Sequence, residues 1–383
     1  MDFDLNDEQR LLKESVDRLI ADRYGFEDRK RFRAQEGGWS RDNWAFFAEQ
    51  GLLAVPFDED HGGIGGGPVE TMIVMEAFGR GLVVEPYLAS IVLGGSALRR
   101  GGSEAQKAEM IPGLAAGDRT MALAQVERTS RYDLHHVETR AKKSGEGWAI
   151  SGEKGVVLHG ESADTLVVVA RTAGDTRDTG GIGLFLVDAK APGVSRRGYA
   201  TQDGMRAAEI SLENVAVGSD AILGDPEGGL ALLEAVVDDG IAATSAEAVG
   251  VMDAMRETTV EYVKTRKQFG VAIGAFQALQ HRAADMVVAI EQARSMAYLA
   301  TMMAASDDAA ERAKSVSAAK VQIGRSGRQV GQSAIQLHGG VGVTQEYMVA
   351  HLFKRMTMIE SMFGDADHHL ARLAAGGSLF EAA

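Results

Sequence analysis

Nine histidines and no cysteine bound the side-chain chemistry of this 383-residue chain. Without thiols, disulfides, thiolate metal sites and cysteine nucleophiles are excluded. Two histidine pairs, His135-His136 and His368-His369, are adjacent in sequence, and neighbours do not share a helix face. No His-Glu-x-x-His occurs. Asp365, Asp367, His368 and His369 cluster, but a structural or surface role describes them better than a metal site, and no metal is expected. The stretch His61-Gly62-Gly63-Ile64-Gly65-Gly66-Gly67 lacks the Lys-Ser/Thr of a phosphate loop and follows no predicted strand, so it reads as a turn. Gln336-Leu337-His338-Gly339-Gly340-Val341-Gly342 ends one helical pattern and precedes another. Bare backbone there suits a phosphate or a nucleotide base, and equally a helix cap followed by a turn. Arg266-Lys267-Gln268-Phe269-Gly270, followed by Phe276-Gln277, sets two cations, an amide and an aromatic at a helix junction. Such a set can bind a pyrophosphate. Taken alone, a solvated charge run describes it better.

The elements that position these residues follow from proline and from periodicity. All six prolines lie at or before Pro226, and the chain beyond is rich in Ala, Met, Glu, Arg and Gln. Proline costs roughly 3 kcal/mol inside a helix, so its absence predicts long helices. Leu279, Ala283, Met286, Val287, Ile290, Ala293 and Met296 recur at three- and four-residue steps from Phe276 to Ala300, and Ala309 to Leu337 repeats the habit. Residues 1–118 read as shorter helices. Leu11, Leu12, Val16 and Ile20 form one face, Ser40 is an N-cap for the segment through Phe47, and Pro68 opens a helix over Val69 to Phe78.

The middle of the chain reads as strands: Val137 to Lys143, Trp148 to Lys154, Thr165 to Arg171, Ile182 to Val187 and Ala208 to Leu212, separated by turn residues. With no alternation of strand and helix, a Rossmann fold is disfavoured. The predicted class is α+β: an N-terminal helical domain (1–118), a mostly antiparallel β-barrel or sandwich (119–225) and a C-terminal helical bundle (226–383). Hydrophobic residues at 45% and charged residues at 25% exclude wholesale disorder. Forty Lys and Arg against 54 Asp and Glu leave a net charge of −14, which argues against general nucleic-acid or anionic-membrane binding. No apolar run approaches the roughly 18 residues of a membrane helix. The acidic start, Met1 to Glu8, does not resemble a signal peptide, and a cytoplasmic protein is expected.

The order helical, β, proline-free helical resembles the acyl-CoA dehydrogenases. So do Arg266-Lys267-Gln268-Phe269-Gly270 with Phe276-Gln277, Gln336-Leu337-His338-Gly339-Gly340-Val341-Gly342, the Asp7-Glu8-Gln9-Arg10 helix start and the His61-Gly62-Gly63 loop. Within the family, Glu127 to Leu134 and Phe363 to Leu370 resemble the small subunit of pimeloyl-CoA dehydrogenases. The resemblance implies bound FAD, with Arg266, Gln268 and Phe269 at its pyrophosphate across a subunit interface. It implies Gln336, Gly339 and Gly340 at the adenine side, and Phe276 and Gln277 along the cofactor. The chemistry it implies is dehydrogenation beside a thioester: a carboxylate takes the α-proton while the β-hydride passes to the flavin.

Three stretches differ from the family pattern. The end of the first β-domain strand, Ala124 to Asp133, has no glycine where the family has Thr-Glu-Pro-Gly-x-Gly-Ser-Asp. Val156, Leu158 and His159 stand where the family has an aromatic, a Thr and an Asn. The position of the family's catalytic Glu falls on Phe363, which cannot accept a proton, and the alternative position on the preceding long helix falls on Gly240. Ile241 replaces a frequent Arg. Among the nearby acids Asp239, Glu360 and Asp365, Asp365 is the best substitute base, because Gly364 frees the chain to present it.

The expected function is FAD-dependent α,β-dehydrogenation of an acyl-CoA thioester, such as the dicarboxylic pimeloyl-CoA, with an electron-transfer protein as acceptor. The chain is expected in a homo-oligomer or in a heterotetramer with a larger homologous subunit. The alternatives are a non-catalytic subunit that completes a partner's cofactor site, and a flavin oxidase or monooxygenase of the same fold.

Overall fold

The computed structural model describes residues 5–376, so Met1 to Asp4 of the acidic start lie outside the described residues. Six α-helices come first: α1 (Asp7–Arg23), α2 (Phe26–Arg33), α3 (Arg41–Glu49), α4 (Pro68–Gly81), α5 (Gly95–Gly101) and α6 (Glu104–Ala115). The starts of α1, α3 and α6 follow from side-chain caps. Asn6 accepts from the Gln9 N–H while the Gln9 amide accepts from the Asn6 N–H, and Ser103 and Gln106 repeat this box before α6. Ser40 caps α3 as expected, accepting from Asn43 N–H. Leu11 departs from the expected face of α1: it is exposed, while Val16 and Ile20 are buried.

The β region contains β1 (Met121–Ala124), β2 (Arg140–Ser144), β3 (Gly147–Leu158), β4 (Thr165–Arg171), β5 (Ile182–Asp188), β6 (Val194–Ala200), β7 (Arg206–Val217) and β8 (Ile222–Leu223). They form one eight-stranded sheet in the order β6-β7-β3-β2-β4-β5-β8, with β1 added beside β4. Pairing is antiparallel except for β1–β4 and a single β2–β4 pair. Trp148, Ile150, Leu166, Val168, Phe185, Val187, Ile210 and Val215 fill its core. The strand pattern misses β6 and β8, and β1 enters only through the family resemblance, which ends a strand at Ala124.

Beyond the sheet run α7 (Gly229–Thr265), the two-stranded hairpin β9 (Lys267–Gln268) and β10 (Val271–Ala272), then α8 (Gln277–Ala304), α9 (Ala309–His338), α10 (Met348–Ser361) and α11 (Ala366–Ala375). The buried face of α8 is Met286, Ala289, Ile290, Ala293, Ala297, Ala300 and Ala304; Val287, assigned to that face from sequence, is exposed. Spatially the described chain forms two units. One gathers residues 5–30, 68–83 and 241–376, the other 31–67 and 84–240. In the first, α4 and α7 approach closely through glycine: a Cβ on Gly250 would lie 1.9 Å from the Glu76 carbonyl oxygen, and one on Gly79 would lie 2.1 Å from that of Glu247.

Candidate active site

In the helical unit, the sequence motifs gather around the ends of α7 and α9. The Tyr262 ring stacks on His338 with centroids 4.5 Å apart, and Tyr347 lies 5.1 Å from the same imidazole. His338 Nδ1–H donates to the Ala334 carbonyl at 2.8 Å, and burial pulls the ring's pKa below its usual value, so the imidazole is neutral. Tyr262 accepts the Arg266 N–H at its carbonyl, and His338 directly precedes Gly339, so this stack sets Arg266 and Gly339 at one edge of the bundle.

At that edge Arg266 is exposed and its guanidinium has no partner among the described residues. Among the described residues the Gln268 side chain donates only to its neighbour's carbonyl at Lys267, 2.8 Å away. Phe269 and Gly270 form the two-residue turn between β9 and β10 with φ of 53° and 81°. Phe269 is 91% exposed and meets Phe276 edge-on with ring centroids at 6.1 Å. Phe276 precedes α8 and Gln277 opens it, both exposed. Gln336 lies exposed in the last turn of α9, where its carbonyl accepts the Gly339 N–H. A Cβ on Gly339 or Gly340 would meet nothing within 4 Å. Nothing within the chain's own packing crowds out a side chain at Gly340, so the open backbone there suits the close approach of another molecule.

The turn that should present a base is built differently. Phe363 and Gly364 take φ of 58° and 112°, and a Cβ on Gly364 would fall 2.7 Å from His369 Nε2. His369 is fully buried. Its Nε2–H donates to the Phe363 carbonyl and its Nδ1 accepts from Ser317 Oγ, both at 3.1 Å. Burial, with Lys320 nearby, pushes the imidazole down to about 3. Lys320, also buried, donates from Nζ to the Ile359 and Glu360 carbonyls at 2.8 Å each, and burial lowers it to about 7. Asp365 caps α11: its carboxylate accepts the His368 N–H at 2.8 Å. Glu360 pairs with Arg328. The expected substitute base is therefore the N-cap of a helix, and the residue at the family's base position is a half-buried phenyl ring.

In the β unit, Glu127 organises the stretch after β1, a role the sequence reading did not assign. Its carboxylate accepts Lys154 Nζ at 2.6 Å and the N–H groups of Glu138 and Thr139 at 2.6 and 2.9 Å. Burial acts to raise this carboxyl, but Lys154 and the Thr139 bonds hold it below its usual range, so it stays ionised. Two residues past Lys154, Val156 takes φ of 51° and is half exposed, and His159 takes φ of 51° while buried. Asp239 is held by one edge of the Arg100 guanidinium, Nε and Nη2 at 2.8 and 2.7 Å, and by Ser96, so both of its oxygens are engaged.

Seven non-glycine residues have left-handed backbone among the described residues: Leu82, Arg131, Val156, His159, Asn214, Phe269 and Phe363. Such conformations cost of order 1–3 kcal/mol and concentrate where function demands them. Five of the seven fall in the stretches singled out from sequence. Profiles of the acyl-CoA dehydrogenase N-terminal, middle and C-terminal domains match residues 6–118, 122–215 and 227–377. The chain belongs to the acyl-CoA dehydrogenase family. The family is FAD-dependent, and the chain is of the flavin-dependent oxidoreductase class. It is 30% identical to a probable acyl-CoA dehydrogenase, YngJ, of Bacillus subtilis, over the whole of both chains. Among solved structures it is similar to a variant of the Tcur3481-Tcur3483 steroid ACAD (29% identity, 97% of each chain, TM-score 0.87). It is also similar to the ChsE4-ChsE5 complex of Mycobacterium tuberculosis (27% identity, 98% of each chain, TM-score 0.87). No helix among the described residues of this acyl-CoA dehydrogenase family member is long and apolar enough to cross a membrane.

Proposed function

We propose that the chain is one subunit of an acyl-CoA dehydrogenase that acts on a dicarboxylyl-CoA thioester such as pimeloyl-CoA, and that a larger homologous subunit supplies the base. The observation that carries this reading is Phe363 with its surroundings. No proton acceptor stands at residue 363, and Asp365, Glu360 and Asp239 are each committed to a cap or an ion pair. The names of two similar structures each join two proteins, which favours a mixed assembly.

The described residues fit FAD at its nucleotide end. Arg266 has the free charge for a pyrophosphate, Gly339 and Gly340 leave backbone open, and Phe269 and Phe276 offer exposed rings. Arg266, Gln268, Phe269, Phe276, Gln277, Gln336, Gly339 and Gly340 would hold it. FAD supplies hydride acceptance, and an electron-transfer protein would reoxidise it. Val156 and Leu158 offer neither an aromatic face nor a hydroxyl for the flavin ring, consistent with a chain that serves its partner's cofactor more than its own. The division at 118/119 and 225/226 and a cytoplasmic location belong to the same proposal.

Anaerobic flavin bleaching with a panel of acyl-CoA thioesters tests it. The isolated chain should bleach little, and co-expression with a larger homologue carrying the Glu should bring rapid bleaching. General-base catalysis contributes about 10²–10⁴-fold, so the contrast is measurable. Rapid bleaching by the isolated protein, lost in Asp365→Asn with flavin retained, would instead make Asp365 the base of a complete homo-oligomeric enzyme.

A further inference from the structure

Two arginines stand unneutralised on a loop whose other charged groups have partners. Between β1 and β2, Asp133 pairs with His135 at 2.8 Å. Glu138 accepts from Thr129 Oγ1 at 2.9 Å and lies 3.2 Å from His136 Nε2. Arg128 and Arg131 are exposed and have no side-chain partner among the described residues. Arg131 also holds φ at 47°, a conformation uncommon outside glycine and costly to maintain.

The loop beneath them is fixed from two sides. Glu127 binds the N–H groups of Glu138 and Thr139 and the Lys154 ammonium. Arg171, fully buried, donates to six backbone carbonyls and, among the described residues, to no carboxylate. Nη2 reaches His135 at 2.7 Å and Thr176 and Asp178 at 3.0 Å, Nη1 reaches Gly180 at 2.9 Å and Ala173 at 3.5 Å, and Nε reaches Val137 at 3.2 Å. One guanidinium thereby clips the loop to the 172–181 turn. Two forked cations on a frame held in advance lose little freedom on meeting a planar or tetrahedral oxyanion, which the fork matches in bidentate fashion.

We propose that loop 126–139 is an oxyanion-binding site in which Arg128 and Arg131 receive the anionic group of an acyl-CoA ligand. That group is a coenzyme A phosphate or the terminal carboxylate of a dicarboxylyl chain. The inference deepens the substrate reading above and rests on it.

Calorimetric titration of the whole chain with coenzyme A, dephospho-coenzyme A, pimeloyl-CoA and heptanoyl-CoA tests it. R128Q/R131Q should weaken binding by roughly tenfold or more for each arginine, as expected for loss of hydrogen bonds between charged groups. R128K/R131K should retain part of the affinity, and Arg197→Gln, which removes an exposed arginine already paired with Glu209, should change nothing. If the wild type binds coenzyme A much more tightly than the dephospho form, the 3′-phosphate is the anion. If it prefers pimeloyl-CoA over heptanoyl-CoA, the carboxylate is. Equal losses for all four ligands in the double variant point to the pyrophosphate. The inference is overturned if the double variant binds all four as tightly as wild type, or if the wild type binds none. Arginine-dependent binding without flavin bleaching in any assembly would sink the dehydrogenase reading alone.

Discussion

Lys154 Nζ, with no exposed side-chain surface, meets a single carboxylate, Glu127, 2.6 Å away. Removing one partner leaves the other charge buried without compensation, which costs about 3–5 kcal/mol. Glu127→Ala should therefore lower unfolding free energy by about that much in urea titration, and the pair Glu127→Leu with Lys154→Met should recover only the part due to the buried charge, because the Glu138 and Thr139 N–H groups still lose their acceptor. A loss below about 1 kcal/mol in the single variant would mean that water reaches Lys154. His369 gives a pH signature. Its folded value near 3 lies below the ordinary 6.5, so the unfolded chain binds the extra proton between those limits. Stability should be constant from this source above pH 6.5 and fall by up to about 1.4 kcal/mol per pH unit below it. His369→Gln should flatten that slope in chemical denaturation between pH 6.5 and 4. Of the two exposed cations beside the hairpin, Arg266→Ala should deplete bound flavin more than Lys267→Ala, read as flavin absorbance per mole of protein. Equal retention would count against Arg266 as the pyrophosphate ligand. At this scale the sequence showed the types but not the pairs. Glu127 and Lys154 stand 27 residues apart and meet only once the stretch after β1 folds back over β3, and Asp365 looked free until α11 placed it at its own N-terminus.

β4 was legible end to end because all seven of its residues are buried, and a continuous apolar run bounded by turns announces such a strand. β6 was not. It is an edge strand whose Val-Ser-Arg-Arg-Gly-Tyr-Ala sequence is largely solvated, and only pairing with β7 reveals it. In α8 the apolar periodicity places the stripe at Met286, Ile290 and Ala293, but alanines at 289, 297, 300 and 304 complete the buried face and Val287 falls outside it, because small residues carry burial that hydrophobicity does not announce. The loop after β1 depends on Arg171 in a way neither periodicity nor motif reveals, since its partners are all backbone carbonyls. Arg171→Met leaves those carbonyls unpaired. Amide exchange at Val137, whose N–H donates to the Thr176 carbonyl at 3.0 Å, should accelerate by more than tenfold while exchange within β4 and β5 stays slow. Uniform acceleration across the sheet would show that Arg171 supports the whole core and not two loops.

The molecule divides into two units with separate cores, one centred on the sheet and one on the helices of its C-terminal half. Three tryptophans, Trp39, Trp44 and Trp148, all belong to the sheet-bearing unit. Indole fluorescence therefore reports that unit, while far-UV circular dichroism is dominated by helix, to which α7, α9 and α8 contribute most; α8, α9 and residues 241–265 of α7 belong to the other unit. Flavin-free protein should show different urea midpoints by the two probes, and coincident transitions would establish one cooperative fold. The two fully buried lysines extend this. Lys154 lies in one unit and Lys320 in the other, and both ammonium groups are sealed from solvent. Amine-reactive reagents acylate exposed lysines first, so these two positions should stay unmodified until their surroundings open. Each then becomes a timer for its own half of the chain, and the order in which they are labelled tells which half lets go first.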